Sequence, residues 1–225
     1  MNVISVAIDG PSGAGKSSLA RKAAKELGFV YVDTGAIYRT VALYCSENGI
    51  SPDDHAAVAA ALPKMNIQLD YTEDGTQQML LSGRDVSDLI RTPEISMLTS
   101  AVAAVPEVRA YLLDTQRKLA QVRSVIMDGR DIGTVVLPNA TVKIYLTAAP
   151  EARAQRRCKE LREKGMDVSF EEVLKDVQER DYNDSHREIS PLKRADDAHL
   201  VDTTCLDLDE SLDVLVKVIR QYMGA

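Results

Sequence analysis

The sequence is poor in the residues that build disulfides and metal sites, and it has no long apolar run. Its three cysteines, Cys45, Cys158 and Cys205, are scattered and form no C-x-x-C pair, and its three histidines lack metal-ligand spacing. We therefore expect inert thiols in a reducing cytoplasm. No apolar segment reaches the roughly 20 residues that a membrane-spanning helix needs, and no secretory leader is visible. A cytoplasmic protein without membrane association is expected.

Positive charge is also in deficit, since 27 lysines and arginines face 34 acidic residues and give a net charge of −7. A general nucleic-acid binder carries a basic face, so we expect no nucleic-acid partner. An anionic ligand must instead be met by local cations, which are mostly arginines. The 225 residues, 45% of them hydrophobic, suit one large domain or a core with inserts. No apolar heptad or stripe demands a partner, so a monomer is expected.

A glycine-rich segment near the start of the chain, GPSGAGKS at residues 10–17, matches the phosphate-binding pattern G-x-x-x-x-G-K-[ST]. A buried strand at 3–8 precedes it, and an amphipathic helix that Gly28 ends follows it. In this arrangement Lys16 reaches the outer phosphates and the Ser17 hydroxyl ligates Mg²⁺. The segment predicts a nucleoside triphosphate site formed by Gly10, Pro11, Ser12, Gly13, Ala14, Gly15, Lys16, Ser17 and Ser18.

Strand and helix patterns alternate through most of the chain, which indicates an α/β fold with a parallel sheet flanked by helices. An antiparallel hairpin with a turn at Asp74-Gly75 interrupts this alternation, with a third short strand near Val86. A capping box at Ser51 is predicted to open an alanine-rich helix. The predicted strands lie at 29–32, 66–71, 77–81, 125–127, 142–146 and 200–201, and the predicted longer helices at 34–49, 92–104, 106–121, 150–164, 169–183 and 208–219.

Four polar clusters follow strands or begin helices. In the first, Asp33 and Thr34 are candidate helix caps, but Tyr38 and Arg39 on the next turn favour a functional role. In the second, Asp128 closes an apolar strand and is predicted to face Mg²⁺ through water. Arg130 and Asp131 follow it at the carboxyl edge of the sheet, where α/β proteins bind ligands. The other two clusters are Arg153, Arg156 and Arg157, and Arg180, Asp184 and Arg187.

The last two clusters have ordinary alternatives, namely a solvated helix face and surface salt bridges. Arginines spread over several elements nevertheless imply a second anionic ligand beside the triphosphate. No obvious general base is present. A hydroxyl acceptor usually needs such a base, whereas a phosphate has its second pKa near ~6 and is already ionised at pH 7. These observations predict a nucleotide kinase that acts mainly through positioning and charge neutralisation.

The chain resembles the bacterial cytidylate kinases of the nucleoside monophosphate kinase superfamily. The resemblance runs nearly end to end and rests on three motifs and the segments that follow them. They are IDGPSGAGK at 8–16, DTGAIYR at 33–39 and DGRDIGT at 128–134, with Glu179-Arg180-Asp181, Asp184, Arg187, Pro191-Leu192 and Asp197-Ala198 continuing the match.

This resemblance implies transfer of the ATP γ-phosphoryl group to CMP or dCMP. It further implies that Arg39, Arg130 and Arg187 hold the acceptor phosphate, and that Arg180 and Asp184 face the ribose. Ser100, Arg109 and Asp131 would read cytosine, whose exocyclic amine donates to Asp131, while Thr34 and Tyr38 complete the acceptor set. Arg153, Arg156 and Arg157 would belong to a lid over ATP. The catalytic residues implied are Lys16, Arg130, Arg180 and Arg187.

The expected organisation is one P-loop nucleotide kinase domain over 1–225. Its core would comprise about 1–36, 106–150 and 188–225, with a monophosphate-binding insert at 37–105 that contains the small antiparallel sheet, and a short helical lid at 151–187. A P-loop kinase for UMP, AMP or a hydroxylated metabolite is the alternative. A nucleotide-binding switch is disfavoured because the guanine motif Asn-Lys-x-Asp is absent.

Overall fold

The computed structural model describes residues 3–163 and 165–223 of the chain. It divides into two compact units. Unit 1 comprises Met1–Tyr31 and Arg123–Ala225, and unit 2 comprises Val32–Val122. The division into core, insert and lid concerns roles in catalysis, and it stays a prediction.

The strands and helices follow the predicted alternation. In chain order the strands are β1 Ser5–Asp9, β2 Val30–Asp33, β3 Ile67–Tyr71, β4 Gln77–Leu81, β5 Arg84–Asp85, β6 Val125–Gly129, β7 Val142–Thr147 and β8 His199–Asp202. The helices are α1 Lys16–Leu27, α2 Thr34–Glu47, α3 His55–Ala61, α4 Pro93–Val102, α5 Pro106–Val122, α6 Pro150–Glu163, α7 Phe170–His186 and α8 Leu208–Arg220. Lys164, the predicted end of one helix, lies outside the described residues.

Unit 1 is built on a sheet in which β1 pairs in parallel with β6 and β7, and β7 with β8. This confirms the predicted parallel sheet. Apolar residues of β1, β7, α1 and α8 pack into one core that includes Ile8, Leu19, Ile144 and Leu215. Because parallel strands end at one edge, the residues that follow β1 and β6 are brought together there.

Within unit 1, α6 and α7 pack through a small core of their own. Ala154, Cys158 and Leu161 of α6 meet Val173 and Val177 of α7. Helix α7 begins with a complete capping box, in which Ser169 accepts from the Glu172 N–H and the Glu172 carboxylate accepts from Ser169.

Unit 2 contains the predicted hairpin, extended by β5 into a three-stranded antiparallel sheet in the order β3-β4-β5. Its core joins this sheet to α2, α4 and α5 through residues such as Val41, Met79 and Leu112.

The predicted cap of α3 is wrong. The helix begins at His55, and the Asp54 carboxylate accepts from the Ala57 N–H at 3.0 Å. The three preceding residues form a turn closed by the Asp54 N–H donating to the Ser51 carbonyl at 3.1 Å. Serine and aspartate are comparable caps, and the turn decides which one is used.

Among the helices of residues 3–163 and 165–223, none is long and apolar enough to cross a membrane.

Candidate active site

The phosphate loop connects the end of β1 to the start of α1, and its backbone requires glycine. A Cβ on Gly10 would lie 1.9 Å from the carbonyl oxygen of Leu146 in β7. Gly13 and Gly15 have φ values of +74° and +86°. Only glycine meets these conditions without strain. The loop leads directly into the N-terminus of α1, whose partial positive charge favours a phosphate.

Lys16, the first residue of α1, is held inside this loop. Its side chain is buried, and Nζ donates to the Pro11 carbonyl at 2.7 Å. Burial, together with the positive charge of Arg130, holds the pKa of Lys16 well below its usual value. A phosphate in the loop would add negative charge beside this ammonium and favour its protonated form.

Ser17 and Asp128 join the loop to the end of β6. Ser17 Oγ donates to Asp128 Oδ2 at 2.8 Å, and the Tyr31 hydroxyl donates to Asp128 Oδ1 at 3.0 Å. A hydroxyl and a carboxylate beside a phosphate loop are the oxygen donors that Mg²⁺ prefers. The residues therefore fit the metal that the sequence predicts, and the roles of Ser17 as a direct ligand and of Asp128 through water stay predictions.

Beyond Asp128, a cluster of guanidinium and carboxylate groups lies at the same edge of the sheet. Arg130 Nε donates to Asp184 Oδ2 at 2.7 Å, and Arg187 Nη2 lies 3.7 Å from Asp131 Oδ1. Burial would raise the pKa of Asp184, but the charges of Arg130, Arg180 and Arg187 outweigh it and hold that pKa below its usual value. The structure thus brings together five predicted residues, with three cations and two anions.

Asp9, at the end of β1, has a structural role that the sequence analysis did not predict. Its two carboxylate oxygens accept from the backbone N–H groups of Ile132 and Gly133, each at 2.7 Å. Burial raises the pKa of Asp9 to about 6, although these two hydrogen bonds oppose the shift. The sequence gives one indication of this role. An acidic residue between an apolar strand and the phosphate loop is expected to be buried, and a buried carboxylate without a partner is costly.

The three arginines of α6 do not share one environment. Arg153 is buried and donates to the carbonyls of Ala148 and Ser12, at 2.8 and 2.9 Å, and to both carboxylate oxygens of Asp181, at 3.0 and 2.6 Å. Arg156 donates to the Thr203 carbonyl at 2.5 Å. ATP contact by Arg153 and Arg156 stays a prediction, and in this structure both side chains form hydrogen bonds within unit 1.

Arg157 differs from both, because its partner is Glu160 one turn away in the same helix. The two side chains are 2.9 Å apart and are 36% and 51% exposed. This is the solvated pair that the sequence left open as an alternative. Ser18, the last residue predicted in the triphosphate site, is exposed on the first turn of α1.

In unit 2, the residues at the start of α2 are organised around Asp33. Its carboxylate caps the helix by accepting from the Ala36 N–H at 2.9 Å, and it pairs with Arg39 Nη2 at 2.8 Å. Gln77 of β4 accepts from the Asp33 N–H and donates to the Asp33 carbonyl. This link was not predicted, because it depends on two residues 44 positions apart. Asp33 is thus a cap and an ion-pair partner at once.

The other predicted residues of unit 2 lie on three helices. The Arg109 guanidinium of α5 lies 5.6 Å from the ring centre of Tyr38, and Arg109 Nη1 donates to the Ala103 carbonyl at 3.2 Å. Thr34 is buried at the start of α2, and Ser100 is half-buried on α4. The structure brings Tyr38 together with Arg109, as it brings Asp33 together with Arg39.

A phosphate loop on a parallel sheet, with a serine hydroxyl and a strand-end carboxylate beside it, defines a P-loop protein. The family model described as cytidylate kinase matches residues 6–221. The chain belongs to the cytidylate kinase family, which is a family of phosphotransferases.

Three similar proteins, each named cytidylate kinase, illustrate the relationship. The protein of Carboxydothermus hydrogenoformans is 51% identical over 95% of this chain and 96% of its own length. That of Caldicellulosiruptor bescii is 47% identical over 99% and 96%, and that of Flavobacterium johnsoniae is 48% identical over 99% of both chains. The crystal structure of an uncharacterised protein from Eubacterium ventriosum shares the fold, with a TM-score of 0.53 and 12% identity over 96% of this chain and 98% of that chain.

Proposed function

We propose that the chain transfers the γ-phosphoryl group of ATP to CMP or dCMP, giving ADP and CDP or dCDP. The observation that carries the proposal is the group formed by Arg130, Arg180 and Arg187 around Asp184 at the edge that also holds Lys16. An acceptor phosphate is already a nucleophile at pH 7, so such a site needs cations more than a base. Membership of the cytidylate kinase family supports the same reaction.

In this proposal the residues of unit 1 act mainly by positioning. The loop N–H groups and Lys16 bind the donor phosphates. Arg130 and Arg187 hold the acceptor phosphate, because guanidinium groups bind phosphate oxygens through two parallel hydrogen bonds. Ser17 directly, and Asp128 through water, would hold Mg²⁺, which would supply positive charge beside the phosphoryl oxygens. Arg180 and Asp184 contact the ribose.

We assign recognition of the base in unit 1 to Asp131. The exocyclic amine of cytosine would donate to its carboxylate, whereas uracil presents an oxygen there and would be repelled. A site of this kind can discriminate strongly, since the wrong base leaves a buried polar group without its partner. For unit 2, acceptor binding by Thr34, Tyr38, Arg39, Ser100 and Arg109 stays a prediction from the family resemblance.

The test is ADP release from Mg·ATP with CMP, dCMP, UMP, AMP or no acceptor. Fast turnover with CMP and dCMP, little with UMP and almost none without acceptor is expected. A preference for AMP or UMP would keep a nucleotide kinase and overturn the assignment of Asp131. No stimulation by any nucleotide would overturn the proposed reaction.

The base-reading step has its own experiment. The variant Asp131→Asn should lower the ratio of kcat/KM for CMP to that for UMP by about 100-fold, because an amide can donate to the uracil oxygen. Asp213→Asn, at an exposed position of α8, is the control and should leave the ratio unchanged. An unaltered ratio in Asp131→Asn would remove that residue from base recognition.

A further inference from the structure

Asp9 connects two segments of unit 1 that are far apart in the chain. It is the last residue of β1 and directly precedes Gly10, the first residue of the phosphate loop. Its carboxylate accepts from Ile132 and Gly133, which are 123 and 124 residues away. These two residues open the wide helical turn Ile132–Val136 that directly follows Arg130 and Asp131. One buried side chain thus spans both parts of the candidate site.

The two hydrogen bonds replace a local helix cap. The N-cap position of the turn is held by Asp131, whose own side chain makes no capping hydrogen bond. A residue at that position normally caps the turn itself. Here Asp9 caps it from the neighbouring strand, and the Asp131 carboxylate lies instead 3.7 Å from Arg187. Because Asp9 caps the turn, the carboxylate of Asp131 stays beside the guanidinium group of Arg187.

Gly133 fits the same contact from the other side. A Cβ on this glycine would lie 3.3 Å from Asp9 Oδ2 and 3.2 Å from Lys143 Cδ. Both distances are shorter than ordinary van der Waals contact, so a side chain at residue 133 would crowd Asp9 and Lys143 unless they shifted by a few tenths of an ångström. Asp9 therefore supplies the carboxylate for this contact, and glycine at position 133 leaves room for it.

A buried carboxylate is an expensive cap. Asp9 is 5% exposed and lies near Asp131, which repels it, as well as near Lys16, which attracts it. Exposed caps such as Asp207, which accepts from the N–H groups of Asp209 and Glu210, do the same local work without this cost. Costly buried charges concentrate at functional sites.

We propose that Asp9 is a positioning residue for the acceptor nucleotide. By binding the turn that follows Arg130 and Asp131, Asp9 holds these two residues in a fixed position relative to the phosphate loop. The inference rests on the proposed function, since it assumes that these two residues bind the acceptor. Asp9 itself contacts no substrate in this scheme. Its loss should loosen the turn and weaken acceptor binding, while the loop that follows Gly10 keeps its own glycines and Lys16.

The first experiment compares Asp9→Asn with the control Asp207→Asn, which also alters a carboxylate that accepts two backbone N–H groups. In Asp9→Asn the KM for CMP should rise by about 10-fold or more, the loss expected for a buried charged hydrogen bond. The Kd of a non-hydrolysable ATP analogue with Mg²⁺ should change by less than about 3-fold. The control should change neither value.

Amide hydrogen exchange gives a readout that does not depend on turnover. The N–H groups of Ile132 and Gly133 should lose protection in Asp9→Asn and keep it in Asp207→Asn. If Asp9→Asn fails to fold, Gly133→Ala tests the same contact with Asp9 intact, and it should raise the KM for CMP selectively.

The outcomes separate the two proposals. A wild-type enzyme that phosphorylates CMP, combined with an unaltered KM for CMP in Asp9→Asn or a loss confined to ATP binding, would overturn the positioning role alone. A wild-type protein that phosphorylates no nucleotide would overturn the proposed function and, with it, the role given to Asp9.

Discussion

Arg130, which follows β6, and Arg153, in α6, are both paired with a carboxylate of α7, yet they are used differently. Arg130 donates to Asp184 at 2.7 Å and to the Gly129 carbonyl at 3.2 Å, and its side chain keeps 21% of its surface exposed. Arg153 is 3% exposed, and its three nitrogens donate to two carbonyls and to Asp181. The arginine at the edge of the sheet is thus the more exposed of the two, whereas the arginine of α6 is buried and hydrogen-bonded to several parts of the fold.

This difference explains why counting arginines overstates a binding site. A guanidinium whose donors are met by carbonyls and a carboxylate of the fold has little left to offer a phosphate. Among the residues that the structure describes, Arg130 donates two hydrogen bonds to the fold and Arg153 donates four, so Arg130 is the stronger candidate for contact with substrate. Arg153 instead supports the phosphate loop through its hydrogen bond to the Ser12 carbonyl.

Arg130→Ala should have the largest effect. We expect kcat/KM for CMP to fall by about 1,000-fold or more, because transition-state charge on the phosphoryl group loses a fixed cation. Folding should suffer much less, although Asp184 loses its partner. Steady-state kinetics and urea denaturation measure the two effects. Near-normal turnover with CMP would contradict the role of Arg130.

Arg153→Lys comes next, and it tests the contrast directly. The lysine keeps the charge but loses the planar fork, so the free energy of unfolding should fall by about 2 kcal/mol. The affinity for an ATP analogue should weaken in parallel, because the loop carbonyl of Ser12 loses its donor. Unchanged unfolding combined with weak ATP binding would instead favour direct contact between Arg153 and ATP.

A smaller, pH-dependent effect is expected at the edge of the sheet. The pKa of Asp9 is raised from 3.8 to about 6, so the folded protein takes up a proton between pH 7 and pH 5 that the unfolded chain does not. Protonation therefore stabilises the folded state as the pH falls. The free energy of unfolding of the wild type minus that of Asp9→Asn should rise by about 1 kcal/mol as the pH falls from 7 to 5.

Urea denaturation at several pH values measures this difference. Lys16, Arg130, Asp131 and Tyr145 also face Asp9, and they are present in both proteins. A difference that stays constant or shrinks as the pH falls would show that Asp9 has no raised pKa.

Arg157→Ala should have the smallest effect. Its partner Glu160 is half-exposed on the same helix, and such pairs contribute less than about 0.5 kcal/mol. Thermal unfolding and ATP affinity should both stay close to the wild type. A large rise in the KM for ATP without loss of stability would support the lid role that the resemblance implies.

The sequence predicted the phosphate loop well, because its residues match a short local pattern and because Gly13 and Gly15 have positive φ values that favour glycine. Gly10 is needed for the close approach of the Leu146 carbonyl. The alternation of strands and helices predicted the parallel sheet, and the Asp74-Gly75 turn after an alternating polar and apolar segment predicted the hairpin. The roles of the individual site residues in binding stay predictions.

The features that the sequence did not predict depend on distant partners or on close competitors. The bond between Arg153 and Ser12 joins residues 141 positions apart, and Asp9 reaches Gly133 across 124 positions. No local pattern reports such contacts. At α3, Ser51 and Asp54 are competing caps, and a single turn decides between them.

The sheet topology also has a consequence for synthesis on the ribosome. Strand β1 emerges first, but its neighbour β6 begins 120 residues later, at Val125. At translation rates of about 5–20 residues per second, the apolar segment Val6–Ile8 waits roughly 6–24 s for its first neighbour in the sheet. Unit 2, a continuous stretch, leaves the ribosome within that interval. The phosphate loop, which directly follows β1, therefore lacks this neighbouring strand until unit 2 has been synthesised.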